Sequence, residues 1–204
     1  MSSSVSSPGP RSSARDLALV AIFAGVVAAL GIVPAFTPPG FSVPITAQSL
    51  GVMLAGSILG ARRGFLSLLL FLVLVAVGLP VLAGGRGGLG VFAGSSVGFL
   101  LIFPVAAYVI GWITERGGAP YTLPWGLVAN FVGGIVVMYL GGTLGLAAVL
   151  HLSLPTALVA TWIYIPGDLV KVVIAALVAR GVHAAYPGLL HPRARQRDKD
   201  EAAV

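Results

Sequence analysis

Between Arg116 and Asp168 the chain runs for 51 residues without a single Asp, Glu, Lys or Arg. Such a run is foreign to a soluble domain, in which roughly a quarter of residues are charged. It suits a lipid bilayer, where one helical crossing needs about 20 apolar residues. Fifty-one residues exceed one crossing, and the stretch HLSLP (151–155) supplies the break between two. The other uncharged runs, at 17–33, 45–61, 64–79 and 97–114, bring the expected total to six. The fold class is therefore an all-α integral membrane protein of six transmembrane helices. Only 9% of the 204 residues are charged and 57% are hydrophobic.

Lys and Arg set the orientation, because cytoplasmic loops carry the excess of them. An even number of crossings puts both termini on one side. Arg11, Arg15, Arg62, Arg63, Arg116, Arg180, Arg193, Arg195, Arg197 and Lys199 share that side, against Arg86 alone on the other. The termini are expected to be cytoplasmic in the plasma membrane. Residues 1–14, rich in Ser, Pro and Gly, read as a disordered tail that is retained. Residues 15–184 form the membrane domain and 185–204 a charged cytoplasmic tail.

The same distribution argues against nucleic acid as a partner: the net charge of +6 comes from residues flanking apolar runs. With no cysteine there is neither a disulfide nor a thiolate metal site, and His151, His183 and His191 lack metal-ligand spacing. GRGGLG (85–90) matches a dinucleotide fingerprint but has no βαβ setting. No Walker A lysine is present. GSSVG (94–98) matches a nucleophile elbow without strand–turn–helix context, and His151 as its base has no orienting partner. No enzymatic activity and no cofactor in this chain are expected.

The charge returns abruptly in YIPGDLVKVV (164–173). Asp168 and Lys171, at i and i+3, share one helix face. Ionisable residues inside a membrane face the bundle interior and mark functional sites by default. Pro166 cannot donate a backbone hydrogen bond, so a kink here is expected to free the Trp162 carbonyl. Two readings stand: an ion pair that braces the bundle, or a ligand site. As a site, Lys171 would neutralise a carboxylate and Asp168 would accept N–H donors. The ligand would carry an acid at one end, polar N–H groups at the other and apolar atoms between. Tyr164, Trp162, Tyr139 and Phe92 are candidate apolar walls. Two outward segments add to this, PAFTPPGFSVP (34–44) and AGGRGGLGVFAGSS (83–96). They are either flexible loops or backbone lining a cavity.

VPITAQSLGVMLAG (43–56), LGARRG (59–64), GLPVLAGGRGGLG (78–90) and IPGDLVK (165–171) together resemble the BioY family. Those proteins are the biotin-specific S components of energy-coupling factor transporters, and the resemblance spans about 15–180. It implies a six-helix bacterial membrane subunit that captures biotin from outside. It also implies a transmembrane coupling protein and two cytoplasmic ATPase subunits that use ATP to drive release inward. The family's substrate motif carries the binding role to Asp168 and Lys171. Gln48, Arg86 and Tyr164 complete the expected substrate-binding set. Gly84, Gly85, Gly87, Gly88 and Gly90 are expected to form a lid, with Arg86 either a ligand contact or a solvated charge. Where the family pattern is similar to PTGGY after Gly94, this chain has SSVGF, which leaves Ser95, Ser96 and Phe99 without an assigned role. Ala14, Ala18, Ala21, Gly25 and Ala28 form a stripe of small residues suited to close helix approach. The stripe packs either within the bundle or, as the resemblance implies, against the coupling protein. An S component for another carboxylate-bearing vitamin, or a small secondary transporter acting alone, are the rival readings.

Overall fold

Each uncharged run resolves into a helical rod. The computed structural model describes residues 10–189; the rest of the two expected tails lies outside the described residues. The helices are α1 (Pro10–Leu30), α2 (Gln48–Leu59), α3 (Ala61–Ala76), α4 (Val97–Gly117), α5 (Leu123–Phe131), α6 (Met138–Leu150), α7 (Leu154–Thr161) and α8 (Ile165–Ala185). A π-helical turn, Val132–Val137, joins α5 and α6 into one rod, Leu123–Leu150. A 3-10 turn, Trp162–Tyr164, joins α7 and α8 into another, Leu154–Ala185. Among the described residues there is no strand, only the isolated bridges Phe36–Ile45 and Leu82–Arg86. These two rods and α4 are long and apolar enough to cross a membrane.

Two details differ from expectation. The helix α1 begins at Pro10, inside the segment 1–14 read as a disordered tail. The break near Pro166 falls earlier, in the 3-10 turn, so Pro166 occupies the first turn of α8. There its missing N–H is no loss. The Trp162 carbonyl is not freed, because it accepts from the Ile165 N–H.

The helix α2 is apolar except for Gln48, Ser49 and Ser57 and is buried over most of its surface, packed against α3, α4 and α8. A single residue, Gly60, turns the chain from α2 into α3 with φ +83°, a conformation glycine adopts at no steric cost. Glu115 accepts from the Ala61 N–H at 2.9 Å and so satisfies one orphan donor at the start of α3. The core is formed by Ala24, Val27, Val52, Leu68, Phe71, Phe103 and Met138, drawn from α1, α2, α3, α4 and α6. The outer faces expose Leu101, Leu140, Leu144, Val159, Val170 and Leu177. A soluble monomer rarely presents so much contiguous apolar surface; hydrocarbon covers it here, and the protein is a membrane protein.

The bundle has two unlike ends. The segments 31–47 and 77–96 gather at the loop end, together with the α6–α7 turn. The opposite, arginine end carries Arg15, Arg62, Arg63, Arg116 and Arg180, with Arg63 paired to Asp16 at 2.9 Å. Near the loop end α4 and α6 cross at Gly98 and Gly145. A Cβ on Gly98 would lie 2.7 Å from the Gly145 Cα, so only glycine permits this approach. The crossing brings Phe99 edge-on to Tyr139, with ring centroids 6.2 Å apart.

Candidate functional site

At the loop end, α8 turns the Asp168–Lys171 pair inward. The side chains are 8% and 16% exposed, and Lys171 Nζ lies 2.7 Å from Asp168 Oδ1. A buried ion pair gains little unless its remaining lone pairs and protons are also satisfied, and here all are except one lone pair of Asp168. Lys171 Nζ donates to the Thr46 carbonyl at 2.7 Å and to Ser49 Oγ at 2.9 Å, which with Asp168 uses all three ammonium protons. The Ser49 hydroxyl passes its own proton to Asp168 Oδ1 at 3.1 Å. The Tyr139 hydroxyl donates to Asp168 Oδ2 at 2.8 Å. Three rods therefore converge on one carboxylate: α2 through Ser49, α6 through Tyr139, and α8 itself.

The pair faces a cavity. Thr46, Gln48, Ser49, Arg86, Asp168 and Lys171 supply the polar part of its wall, and Leu82, Phe99, Leu100, Phe103, Met138 and Tyr164 much of the apolar part. Convergent polar groups on one side and apolar side chains on the other are the usual make-up of a small-molecule pocket.

Of the expected substrate-binding residues, Asp168, Lys171, Gln48, Arg86 and Tyr164 all line this cavity. Their engagements differ. The Gln48 amide is taken up by backbone: it donates to the Val27 and Val81 carbonyls at 3.2 and 3.1 Å and accepts from the Ala83 N–H at 3.1 Å. It thereby ties α1 and α2 to the base of the glycine segment. Arg86 is exposed at the rim and donates through Nε to the Ala83 carbonyl at 3.1 Å. The Tyr164 hydroxyl donates to the Val43 carbonyl at 2.7 Å, holding the proline-rich segment against α8. The other proposed walls lie elsewhere. Trp162 is 69% exposed on the outside of the bundle. Phe92 packs against the core cluster. Tyr139 meets Asp168 without lining the cavity.

The glycine segment roofs the site as a pinned turn. Gly84, Gly85 and Gly88 have positive φ, whereas Gly87 and Gly90 do not. Gly87 is needed for space instead, since a Cβ there would collide with the Leu79 carbonyl. The Gly88 N–H donates to the Val75 carbonyl at 2.7 Å, anchoring the segment to α3. A Cβ on Gly90 would meet nothing.

The three unassigned residues acquire places. Ser95 donates to the Ser42 carbonyl at 2.8 Å, clasping the two loop-end segments together. Ser96 lines the cavity. Phe99 forms its floor, edge-on to both Tyr139 and Tyr164. Sequence reasoning overlooked Ser49 and the donor role of Tyr139. The available signal was a serine beside Gln48 in a largely apolar helix, and a tyrosine hydroxyl in an uncharged run. On α1, Ala14, Ala18, Ala21 and Gly25 are exposed and Ala28 is half-buried, while Val20, Ala24 and Val27 turn inward. The small stripe thus faces away from the protein's own bundle.

The model of the BioY family matches residues 1–188. This chain belongs to the BioY family. It is 48% identical over 188 residues to "Biotin transporter BioY" of Rhizobium etli, covering 89% of this chain and all of that one. It is 49% identical over 189 residues to the protein of that name from Rhodobacter capsulatus, covering 88% of this chain and 98% of that one. Among solved structures, it matches a crystal structure at 2.1 Å of the S-component for biotin from an ECF-type ABC transporter. The TM-score is 0.81 at 26% identity, with 87% of this chain and 95% of that chain covered. The BioY match extends through every segment that builds the cavity, from 43–49 to 164–171.

Proposed function

We propose that this chain is the substrate-capture subunit of an energy-coupling factor transporter and binds biotin for uptake. It performs no chemistry on the vitamin. The observation that carries the reading is a buried carboxylate–ammonium pair facing a cavity lined by further polar groups and by apolar side chains, in a chain of the BioY family. Biotin has the matching parts: a carboxylate for Lys171, ureido N–H groups for Asp168, and a bicyclic ring for the side of Phe99, Phe103 and Met138. Since all three Lys171 protons are engaged, a ligand carboxylate must displace a partner. Releasing the neutral Thr46 carbonyl would leave both the contact with Asp168 and the bridge through Ser49 intact. Arg86 at the rim is a second candidate for the ligand's polar end, and Gln48 holds the roof from below.

In this reading the six rods are six membrane crossings with both termini cytoplasmic, as the ten-to-one distribution of Lys and Arg supports. The loop end then opens outward, and the glycine segment closes over bound biotin. The exposed small stripe on α1 receives a transmembrane coupling protein, and two cytoplasmic ATPase subunits provide the energy from ATP. The BioY family is bacterial in the relatives named above, and the plasma membrane is its site.

The test is to purify the chain without added ligand, denature it, and identify any released small molecule by mass. Biotin at close to one per chain is expected. A different carboxylate-bearing vitamin would overturn the substrate. Transport of biotin by reconstituted vesicles holding this chain alone, driven by an ion gradient, would overturn the role as a capture subunit in favour of a secondary transporter.

A further inference from the structure

A carboxylate offers about four lone-pair directions to donors. Asp168 has three of them filled: Oδ1 receives Ser49 and Lys171, and Oδ2 receives Tyr139. One direction on Oδ2 is left. Asp168 is among the residues that line the cavity and Tyr139 is not, while the Tyr139 hydroxyl takes one side of Oδ2 at 2.8 Å. Which lone pair remains open is therefore decided by where Tyr139 stands.

Tyr139 stands there because of an irregularity in its own helix. The π-helical turn Val132–Val137 ends two residues before it. A π turn inserts one residue into the helix, and π turns recur at functional sites. One residue corresponds to about 100° of rotation, so without the insertion Tyr139 would point about a quarter-turn away from α8. The turn is accommodated by glycine: a Cβ on Gly133 would collide with Ile110, and one on Gly134 with Met53. The same helix then presents Gly142 to the Phe99 ring, which leaves Tyr139 as its one polar contact to Asp168.

We infer that Tyr139 is a positioning residue for ligand recognition: held in register by the π turn, it orients Asp168 so that its last acceptor site takes a single N–H of the ligand. This rests on the reading of Asp168 as the ureido acceptor. It adds that the selectivity for that N–H resides in a residue that does not touch the ligand.

The test compares biotin with the two cyclic carbamates in which one or other ureido N–H is replaced by oxygen. Binding is measured by calorimetry on the full chain and on Tyr139→Phe. The unsubstituted protein is expected to discriminate against one carbamate by about tenfold or more, the value of one hydrogen bond to a charged acceptor. In Tyr139→Phe the biotin affinity should fall about tenfold while that carbamate changes little, so the discrimination collapses. A variant that binds more weakly but keeps the full discrimination would overturn the inference, leaving Tyr139 a packing residue. No discrimination by the unsubstituted protein would overturn the assignment of Asp168 and the inference with it. Should Tyr139→Phe fail to fold, the biotin-bound structure of the unsubstituted chain decides. Tyr139 Oη must remain on Asp168 Oδ2 and off the ligand; contact with biotin, or loss of Asp168, overturns the proposal.

Discussion

The helices α2 and α8 are joined by buried polar groups at two levels, and the two levels are unlike. Near the loop end, Ser49 meets Asp168 and Lys171. Eight residues further along α2, about 12 Å toward the arginine end, the Ser57 carbonyl meets His183 Nε2 at 2.9 Å. There the Ser57 hydroxyl donates to Asn130 Oδ1 at 2.9 Å, and the Asn130 amide donates to the Gly126 carbonyl at 2.9 Å. The His183 ring stacks on Tyr121, with centroids 5.0 Å apart. Burial pushes the Tyr121 phenol up to about 12, so it stays neutral. The lower level has no ion pair, none of its residues lines the cavity beside Asp168, and Tyr121 Oη and His183 Nδ1 are buried there without a hydrogen-bond partner among the described residues. The upper level has formal charges, a cavity and two loop segments pinned above it. Both are polar inside a membrane protein, where such groups are expensive, yet Ser57, Asn130 and His183 do not line the cavity that Ser49, Asp168 and Lys171 line. Burial and polarity do not identify a site here; charge beside a cavity does.

The sharpest way to break that contrast is at Asp168. Asp168→Ala leaves Lys171 buried without its counter-charge, and removing one partner of a buried pair costs about 3–5 kcal/mol. Biotin binding is expected to be lost in calorimetry, together with a lowered thermal midpoint. Retained affinity would place the ligand elsewhere. At the lower level, Ser57→Ala takes the donor away from the buried Asn130 Oδ1, at a cost of about 1–3 kcal/mol in stability. A lower melting temperature with unchanged biotin affinity is expected, and a large loss of affinity would make the two levels one site.

Smaller effects separate the roof from the pair beneath it. Gly88 has φ +83°, which a β-branched residue adopts only under strain. Gly88→Val should distort the pinned turn and speed biotin dissociation in stopped-flow more than it slows association. Equal hydrogen exchange of 84–93 with and without biotin would show that the segment is no lid. The smallest effect on binding is expected at Ala18→Leu, because that position faces outward on α1. Affinity should be unchanged while uptake by cells falls; lost binding with intact uptake partners would return the stripe to the bundle's own packing.

Much of this fold was legible in the sequence, because a bilayer converts charge counts directly into helices. The 51-residue run divided at 151–153 as expected, and the corner at LGARRG is one glycine wide. The pair in α8 could be read as facing the bundle interior because ionisable residues in a membrane helix avoid the lipid; the sequence leaves open whether it braces the bundle or meets a ligand. What escaped reading depends on register rather than composition. Tyr139 and Trp162 look alike as aromatic residues in apolar helices, yet one is turned onto Asp168 by a π turn and the other faces outward. Two glycines at 133–134 do not by themselves announce such a turn. Gln48 is expected in the substrate-binding set, and the sequence does not tell that backbone would absorb its amide. Nor does any local pattern tell that Ser49, 119 residues from Asp168 in the chain, would complete its coordination.

Lys171 is proposed to anchor a ligand carboxylate rather than merely to brace the bundle. The most direct measurement is the affinity of biotin and of biotin methyl ester for the unsubstituted chain and for Lys171→Ala. The acid is expected to lose about 2 kcal/mol or more, roughly thirtyfold, while the ester, which brings no charge to the site, is nearly indifferent. Equal losses for acid and ester would contradict it, and would return the Asp168–Lys171 pair to the same structural standing as Ser57 and His183.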